Sequence, residues 1–157
     1  MNQIEIREAG PCDAEVIAEI HLTARREAMP YLYRPHTDDE MRDYFARVVG
    51  DRPSAWWIAR VEDQIVGFTL IDGENIDHLY VQPGWRRRGI GLSLLNKAKA
   101  LSPRQLELWT FQCNTDARAF MKHRVFAPRP PRRGTTKRTT FIGQFIQSFR
   151  IISQGLG

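Results

Sequence analysis

The segment that most constrains this sequence joins an apolar run to a helix through a glycine-rich basic turn. Residues 75–81 form a short β-type run, and Pro83-Gly84 is a turn signal directly after it. Residues 85–91 then read Trp-Arg-Arg-Arg-Gly-Ile-Gly, and leucines at helical spacing follow as far as Leu101. A helix N-terminus carries unpaired N–H donors and partial positive charge, and glycines let a phosphate approach the backbone. The segment therefore predicts a strand–turn–helix unit suited to cradle a diphosphate.

Two common phosphate-binding signatures do not fit this segment. No Gly-Lys-Ser/Thr follows it, as a P-loop requires, and Gly89 and Gly91 lack the third glycine of the dinucleotide fingerprint. On spacing alone, a glycine turn flanked by three solvated arginines explains the residues equally well. The segment by itself is a hypothesis for anion binding, with a purely structural alternative.

Hydrophobic periodicity along the rest of the chain predicts an α+β fold with a mixed sheet. An alternating run at residues 4–9 indicates a first strand, and two helices follow, the second behind a capping box at residues 37–40. A hairpin is predicted over residues 55–71, ahead of the strand–turn–helix unit. A buried strand at residues 106–111 and a short helix from residue 115 to about residue 122 complete the pattern. A length of 157 residues suits one domain.

Composition excludes several classes of protein. With 42% hydrophobic and 26% charged residues, and no apolar run near the roughly 20 residues of a membrane span, the chain is typical of a soluble globular protein. The N-terminus lacks the apolar centre of a signal peptide, and Cys12 and Cys113 are too isolated for a disulfide framework or a zinc site. We therefore expect a cytoplasmic protein with no membrane partner and no metal.

Residues 86–91, Arg-Arg-Arg-Gly-Ile-Gly, resemble the Arg/Gln-x-x-Gly-x-Gly/Ala motif of the GNAT N-acetyltransferase superfamily. The preceding residues 78–83 are similar to the family's sequence as well. Residues 106–114, followed by Ala-Arg-Ala-Phe at 117–120, resemble its second conserved block. The resemblance covers about residues 4–120. It implies a mixed, mostly antiparallel central sheet flanked by helices, in which a splayed pair of strands holds acetyl-CoA.

The resemblance implies that the cofactor acetyl-CoA is bound by the glycine-rich unit and by the strand before it. Leu79, Tyr80 and Val81 would pair their backbone with the pantetheine arm. Asn114 matches a family asparagine that contacts this arm. The residues expected around the pyrophosphate and the adenosine phosphates are Arg86, Arg87, Arg88, Gly89, Ile90, Gly91 and Leu92.

The reaction implied is direct transfer of the acetyl group from the thioester to a primary amine of a small molecule or peptide. The amine must lose a proton, and the candidate catalytic bases are Glu74, Asp77 and His78, of which His78 has the most suitable ordinary pKa, about 6.5. Strand alternation would place Asp77 and His78 on opposite faces. A backbone N–H of residues 79–81 would stabilise the oxyanion. A structural role for each candidate, or a base acting through water, is the alternative.

Three aromatic residues near the N-terminus fall where the family binds its acceptor. His21, Tyr31 and Tyr33 are therefore predicted to contact the substrate, with core packing as the alternative for the tyrosines. The sequence does not identify the acceptor. A homodimer is compatible with the apolar C-terminal residues, and nucleic acid is not the expected partner.

After Phe120 the sequence departs from the family. The family continues with a tyrosine that protonates the leaving thiolate, whereas this chain has Met121, which has no proton to give, so a reduced activity is predicted. Residues 117–157 carry nine basic and no acidic side chains, whereas residues 1–116 carry 14 basic and 18 acidic ones. Residues 127–134 are too rich in proline and arginine for a core strand, although the family would place its last two strands in this region.

Three interpretations of the atypical basic segment, residues 121–157, stay open. The first is a helix that packs on the sheet or on a partner through Phe141, Ile142, Phe145, Ile146, Phe149 and Ile152. The second is a basic arm for RNA or another polyanion. The third is that the end of the coding sequence is read out of frame, because the composition changes where the family motif breaks.

The sequence thus favours a single N-acetyltransferase domain over residues 1–157, family-like through about residue 120. The alternative is a catalytically impaired acyl-CoA-binding module that acts through a partner. Turnover separates the two, since only the enzyme releases free thiol from acetyl-CoA in the presence of an amine. A nucleic-acid-binding module ranks third and predicts an RNA affinity that falls steeply with salt.

Overall fold

The computed structural model describes residues 3–30, 34–111, 115–123, 127–129 and 146–152. The strands are β1 (Ile4–Glu8), β2 (Trp56–Val61), β3 (Gln64–Asp72), β4 (Asn75–Val81), β5 (Gln105–Phe111), β6 (Ala127–Arg129) and β7 (Ile146–Ile152). The helices are α1 (Ala14–Ala28), which follows a 3₁₀ turn at Pro11–Asp13, α2 (Asp38–Val48), α3 (Ile90–Leu101) and α4 (Thr115–His123). No helix in this described part of the chain combines the length and apolar character needed to cross a bilayer.

The strands form one sheet in the order β1-β2-β3-β4-β5-β7-β6. Neighbouring strands run antiparallel except β4 and β5, which are parallel. Parallel neighbours need a long crossover, and α3 makes it. The predicted α+β fold with a mixed, mostly antiparallel sheet is confirmed.

The C-terminal strands correct one prediction about the basic segment. Ile146, Phe149 and Ile152 belong to β7 rather than to a helix, and β7 pairs along its full length with β5. Their spacing is close to a helical period, but β5 offers a row of backbone partners, and pairing with it satisfies the N–H and C=O groups of both strands. The other residues of the predicted helix lie outside the described ones: Phe141, Ile142 and Phe145.

Proline is accommodated at the outer edge of the sheet. β6 is a three-residue strand that contains Pro128 and pairs with β7. Because β6 is the last strand of the sheet, the missing N–H of a proline can face away from the ladder. This edge position agrees with the expectation that residues 127–134 form no core strand, and residues 130–134 lie outside the described ones.

The capping box predicted at residues 37–40 begins α2. Thr37 Oγ1 accepts a hydrogen bond from the Glu40 amide at 3.1 Å, and the Glu40 carboxylate accepts one from the Thr37 amide at 3.3 Å. These bonds satisfy two N–H groups that a helix start leaves unpaired. The helix that follows carries Phe45 into the core, where its side chain is fully buried.

The core has two layers, one on each face of the sheet. In the α1–α2 layer, Phe45 packs with Trp56 and Phe68. In the α3 layer, Leu94 packs with Val66. Burying a side chain of this size contributes about 1.5–3 kcal/mol relative to leaving it exposed, so these contacts hold the helices against the sheet.

Gly67 of β3 allows α3 to lie close to the sheet. A Cβ at this position would lie 3.0 Å from Tyr80 O, 3.1 Å from Ile90 Cγ2 and 3.2 Å from Leu94 Cδ1. Any larger residue would push the first turns of α3 away from β3 and β4. The glycine therefore brings the start of α3 next to the end of β4, and the candidate site depends on this arrangement.

An extra residue in β4 changes which side chains face each layer. Leu70 of β3 pairs with His78, whereas the next residue, Ile71, pairs with Ile76. Asp77 therefore has no partner and forms a β-bulge. A bulge breaks the alternation of side chains, so simple alternation does not decide on which faces Asp77 and His78 lie.

Beyond the bulge, β4 presents titratable rings to one layer and aliphatic side chains to the other. His78 and Tyr80 lie with the aromatic residues of the α1–α2 layer. Leu79 and Val81 pack in the α3 layer. Ile76, before the bulge, shares a cluster with Leu79, which regular alternation over three residues would not allow.

Candidate active site

The candidate site begins where β4 and β5 part. The two strands pair only at Asn75 with Glu107 and at Ile76 with Leu108. Beyond Ile76, no strand among the described residues pairs with β4 on this side. The sheet therefore contains the splayed pair of strands expected from the resemblance, and β4 has an open edge along residues 79–81.

The open edge of β4 presents backbone N–H donors. Gln82, directly after β4, donates its amide to Val66 O at 2.8 Å, on the β3 side. Because N–H groups alternate between the two edges of a strand, that of Tyr80 also faces β3, and those of Leu79 and Val81 face the open edge. An extended, amide-containing ligand can pair with such an edge as an added strand does.

A cavity of about 780 Å³ extends from this open edge to the start of α3. The predicted cofactor-binding residues that line it are Leu79, Tyr80, Val81, Arg86, Arg87, Gly89, Gly91 and Leu92. The lining residues to which the sequence assigned no binding role are Ala24, Arg25, Ala28, Met29, Trp85, Asp116, Ala117, Ala119, Phe120 and Met121. The cavity is thus bounded by α1, β4, the basic turn, α3 and α4.

The start of α3 is built for close approach to its backbone. Gly89 is the N-cap residue, with φ +82°, a left-handed conformation that favours glycine. No side chain caps this helix, and its first turn contains no acidic residue. A Cβ on Gly91 would come within 3.4 Å of the Phe120 ring and 3.7 Å of Val81 Cγ2. The glycines therefore keep the space in front of the N–H groups clear.

The three arginines of the basic turn divide into two that line the cavity and one that does not. Arg86 lines it and lies 3.6 Å from Glu27 Oε1 of α1. Arg87 lines it as well and is exposed. The guanidinium of Arg88 instead lies over the Trp85 ring, 4.9 Å from its centroid. Ile90 is buried in the α3 layer, so only its backbone is available to a ligand.

Two of the three candidate bases are turned away from the cavity. Glu74 is exposed before β4, and its carboxylate accepts a hydrogen bond from Gln105 Nε2. Asp77 is exposed at the bulge, although desolvation of its carboxyl, aided by the negative charge of Asp72, raises its pKa above the usual value. Neither residue lines the cavity.

The third candidate base, His78, lies beside the cavity wall. Its ring centroid is 5.9 Å from that of Tyr80, which lines the cavity, and 6.0 Å from that of Phe68. Burial, followed by the positive charge of Arg25, lowers the pKa of His78 to about 4. The imidazole is therefore neutral at neutral pH, and its low pKa makes it a weaker base than an ordinary histidine.

His21 lies behind the wall rather than in it. The residue is buried in α1, and its ring centroid lies 4.8 Å from that of Tyr80 and 5.6 Å from that of His78. Burial first, and then the charges of His78, Arg25 and Arg34, lower the pKa of His21 to about 3. It therefore contacts the wall residue Tyr80 and does not itself line the cavity.

Three of the predicted site residues, Tyr31, Tyr33 and Asn114, lie outside the described residues. The sequence analysis also missed the wall that α1 contributes. His21, Arg25 and Ala28 recur at helical spacing on one face of α1, and a helical-wheel analysis of this helix could have found that face.

Comparisons with known proteins agree with this architecture. A model of the acetyltransferase (GNAT) family matches residues 21–125. The chain is 30% identical over 140 residues to the probable N-acetyltransferase Rv2775 of Mycobacterium tuberculosis. This match covers 80% of this chain and 80% of that protein. It is 29% identical over 103 residues to the peptidyl-lysine N-acetyltransferase YjaB of Salmonella typhimurium, which covers 66% of this chain and 67% of that protein.

Solved structures share the fold at lower identity. Apo-form YjaB from Escherichia coli superposes with a TM-score of 0.73 at 24% identity, covering 98% of this chain and 99% of that one. The PaiA N-acetyltransferase from Thermoplasma acidophilum, in complex with coenzyme A, gives a TM-score of 0.67 at 17% identity, covering 93% and 98%. Together with the family match, these similarities lead to the conclusion that this chain belongs to the GNAT family of acetyltransferases.

Proposed function

We propose that this protein transfers the acetyl group of acetyl-CoA directly to a primary amine. The observation that carries the proposal is the single cavity that joins the open edge of β4 to the uncapped, glycine-lined start of α3. Acetyl-CoA carries an amide-containing arm joined to a diphosphate, and the two ends of the cavity suit these two groups. When bound, acetyl-CoA supplies the thioester that donates the acetyl group.

The residues that would hold the cofactor act mainly through their backbone. The N–H groups of Leu79 and Val81 face the pantetheine side, and those at the start of α3 face the diphosphate side. Arg86 and Arg87 add charge-assisted hydrogen bonds, each worth about 1.5–3 kcal/mol. Asn114 remains a candidate for the arm because of the family resemblance.

His78 is the base that we propose for the acceptor amine. It is neutral at neutral pH and lies beside the cavity wall, whereas Glu74 and Asp77 are exposed away from it. A backbone N–H at the open edge of β4 would donate to the oxyanion as it forms. A water between His78 and the amine would serve equally well, since the ring stands behind Tyr80 and not directly on the cavity.

The acceptor that we propose to test first is a lysine side chain in a peptide. The relative YjaB is named for that activity, and a small-molecule amine is the second class. Met121 lines the cavity where the family resemblance expects a tyrosine, and its thioether has no proton to donate. This substitution supports the expectation of a slow enzyme and keeps the non-catalytic acyl-CoA-binding module as the alternative.

The test combines calorimetry with a turnover assay. Coenzyme A should bind the wild-type protein and should bind Gly91→Leu at least about a hundredfold more weakly, because the new side chain points at Phe120 and the cavity. Asn96→Leu, at an exposed position of the same helix, should bind like the wild type. Free thiol should appear when acetyl-CoA is mixed with at least one amine of a panel of lysine peptides and small amines.

The outcomes separate the two hypotheses. Coenzyme A binding without thiol release across the panel would favour the non-catalytic module over the enzyme. Unchanged binding by Gly91→Leu, with circular dichroism showing a folded variant, would contradict the cofactor site itself. No binding of coenzyme A by the wild-type protein would exclude the module as well.

A further inference from the structure

Transfer of an acetyl group from sulfur to nitrogen moves a proton as well. The new C–N bond forms as the C–S bond breaks, the bond electrons leave with sulfur as a thiolate, and the nitrogen carries one proton too many. A thiol of ordinary pKa, about 8.5, is largely protonated at neutral pH, so the departing sulfur needs a proton donor. Met121 cannot provide it.

The side chains that line the described cavity contain one neutral Brønsted acid. Arg25, Arg86 and Arg87 do not release their protons, because the guanidinium stays charged. Asp116 is exposed on the first turn of α4. Among these lining residues, the phenol of Tyr80 is the group that can give a proton to sulfur.

We propose that the Tyr80 hydroxyl protonates the leaving sulfur of coenzyme A, in the role that Met121 cannot fill. The inference rests on the proposed acetyl transfer. It gives Tyr80 a catalytic role through its side chain, beyond the backbone contact with the pantetheine arm that the sequence predicted.

The position of Tyr80 supports this role. It lies between Leu79 and Val81, whose amides face the open edge where the thioester arm would run. Its ring is stacked on Phe68 with centroids 5.6 Å apart and is held edge-on by His21 at 4.8 Å. The ring therefore lies between β3 and α1, and its phenol is close enough to Arg25 of α1, which also lines the cavity, for the charge of Arg25 to act on it.

The charges around the phenol keep it protonated until it is used. Burial raises the pKa of Tyr80 above its usual value of 10.0, and the positive charge of Arg25, from α1, opposes this rise. The other titratable groups in contact are His21 from α1 and His78 from β4 itself, both neutral at neutral pH. From β3, Phe68 contributes no charge.

The proton transfers balance between His78 and Tyr80. His78 takes the excess proton from the acceptor nitrogen, and Tyr80 gives its own proton to sulfur. The phenolate of Tyr80 then recovers a proton from the His78 imidazolium, directly or through water, since the two ring centroids are 5.9 Å apart. One N–H proton has become one S–H proton, and both side chains return to their starting state.

The first experiment replaces the proton donor and then restores it elsewhere. Tyr80→Phe should lower kcat by about 10²–10⁴-fold, the usual range for loss of a general acid, while the ring stacking is retained. Tyr44→Phe makes the same chemical change on an exposed residue of α2 and should leave kcat unchanged. Met121→Tyr in the Tyr80→Phe background should recover at least about tenfold of the loss, because position 121 lines the same cavity.

The second experiment reads the contact with sulfur without turnover. The thiol of bound coenzyme A is titrated by the ultraviolet absorbance of its thiolate, in the wild type and in Tyr80→Phe. A phenol that donates to the thiolate stabilises it, so the pKa of the bound thiol should rise by about one unit in the variant. Desulfo-coenzyme A should bind both proteins with equal affinity by calorimetry.

A structural role for Tyr80 would give a different result. A Tyr80→Phe variant that turns over within about threefold of the wild type, or that is slow with an unmoved thiol titration, would overturn the proposal. If no protein releases thiol but the titration still responds to Tyr80→Phe, acetyl transfer fails as the proposed function, whereas the contact between Tyr80 and sulfur is upheld.

Discussion

The two sides of β4 differ in how they meet a ligand. The open edge, with Leu79 and Val81, offers backbone N–H groups and leads to glycines at the start of α3. One face of β4, toward the α1–α2 layer, presents the side chains of His78 and Tyr80. Binding through backbone N–H groups tolerates changes in the side chains of the same residues. Proton transfer, by contrast, requires particular titratable side chains at defined positions. Binding and chemistry should therefore fail separately when either side is altered.

The bulge at Asp77 keeps these two sides apart. A strand that gained or lost one residue would exchange its faces, and the rings would then point into the α3 layer. The unpaired residue lies before His78 and after Ile76, so it resets the alternation just before the residues of β4 to which we assign proton transfer. The proposed separation of cofactor binding from proton transfer on β4 thus depends on this β-bulge.

The largest effect is expected when the proposed base on β4 is removed and the contacts with coenzyme A are kept. His78→Gln removes the proposed base and should lower kcat by about 10²–10⁴-fold, with the affinity for coenzyme A unchanged, because the open edge and the start of α3 are untouched. His36→Gln, at an exposed residue that lies 3.2 Å from Glu40, is the matched control and should leave kcat as it is. Steady-state kinetics and calorimetry measure the two quantities. A parallel loss of affinity would show that the two sides are not separable.

A smaller effect should follow from weakening the proposed cofactor contacts while His78 and Tyr80 are kept. Arg87→Ala should raise the Kd of coenzyme A by about 10–100-fold, which corresponds to one charge-assisted hydrogen bond, and should leave kcat at saturation unchanged. Arg88→Ala should change the Kd far less, since Arg88 is stacked on Trp85 and does not line the cavity. Calorimetry at two salt concentrations provides the measurement. Equal losses for both variants would contradict this assignment of the arginines.

The last prediction concerns stability and tests the buried rings. The pKa of His21 is about 3 and that of His78 about 4 in the folded protein, against an ordinary value of 6.5. Below about pH 6.5 the two histidines of the unfolded chain therefore bind protons, whereas those of the folded protein do not. The free energy of unfolding should fall as the pH falls from about 6.5 toward about 4, by about 1.4 kcal/mol per unit for each histidine.

Urea denaturation between about pH 7 and about pH 5 measures this slope. His21→Gln should show a shallower dependence than the wild type, whatever its absolute stability, and His36→Gln, at an exposed ring, is the control. Identical slopes for wild type and His21→Gln would mean that the buried ring titrates normally in the folded protein.

Much of the fold and half of the site follow from local sequence signals. The capping box of Thr37 and Glu40, the strand before Pro83, and the glycines at the start of α3 each act through neighbours a few residues away. Such features can be predicted because the residues that interact are close in the sequence. The helix considered as one interpretation of the C-terminal segment is contradicted at Ile146–Ile152, since the spacing of Ile146 and Phe149 does not reveal that β5 has an edge to pair with.

The sequence alone predicted the cradle of glycines and arginines, and the family resemblance gave the expectation of a tyrosine where this chain has Met121, because both depend on residue identity. The tertiary structure decided which titratable groups meet. It set His78 and Tyr80 against His21 of α1, turned Glu74 and Asp77 outward, and brought Arg25 and Met121 to the same cavity. The physical reason is that a bulge, a glycine at position 67 and the parting of two strands act over distances that no local pattern of residues encodes.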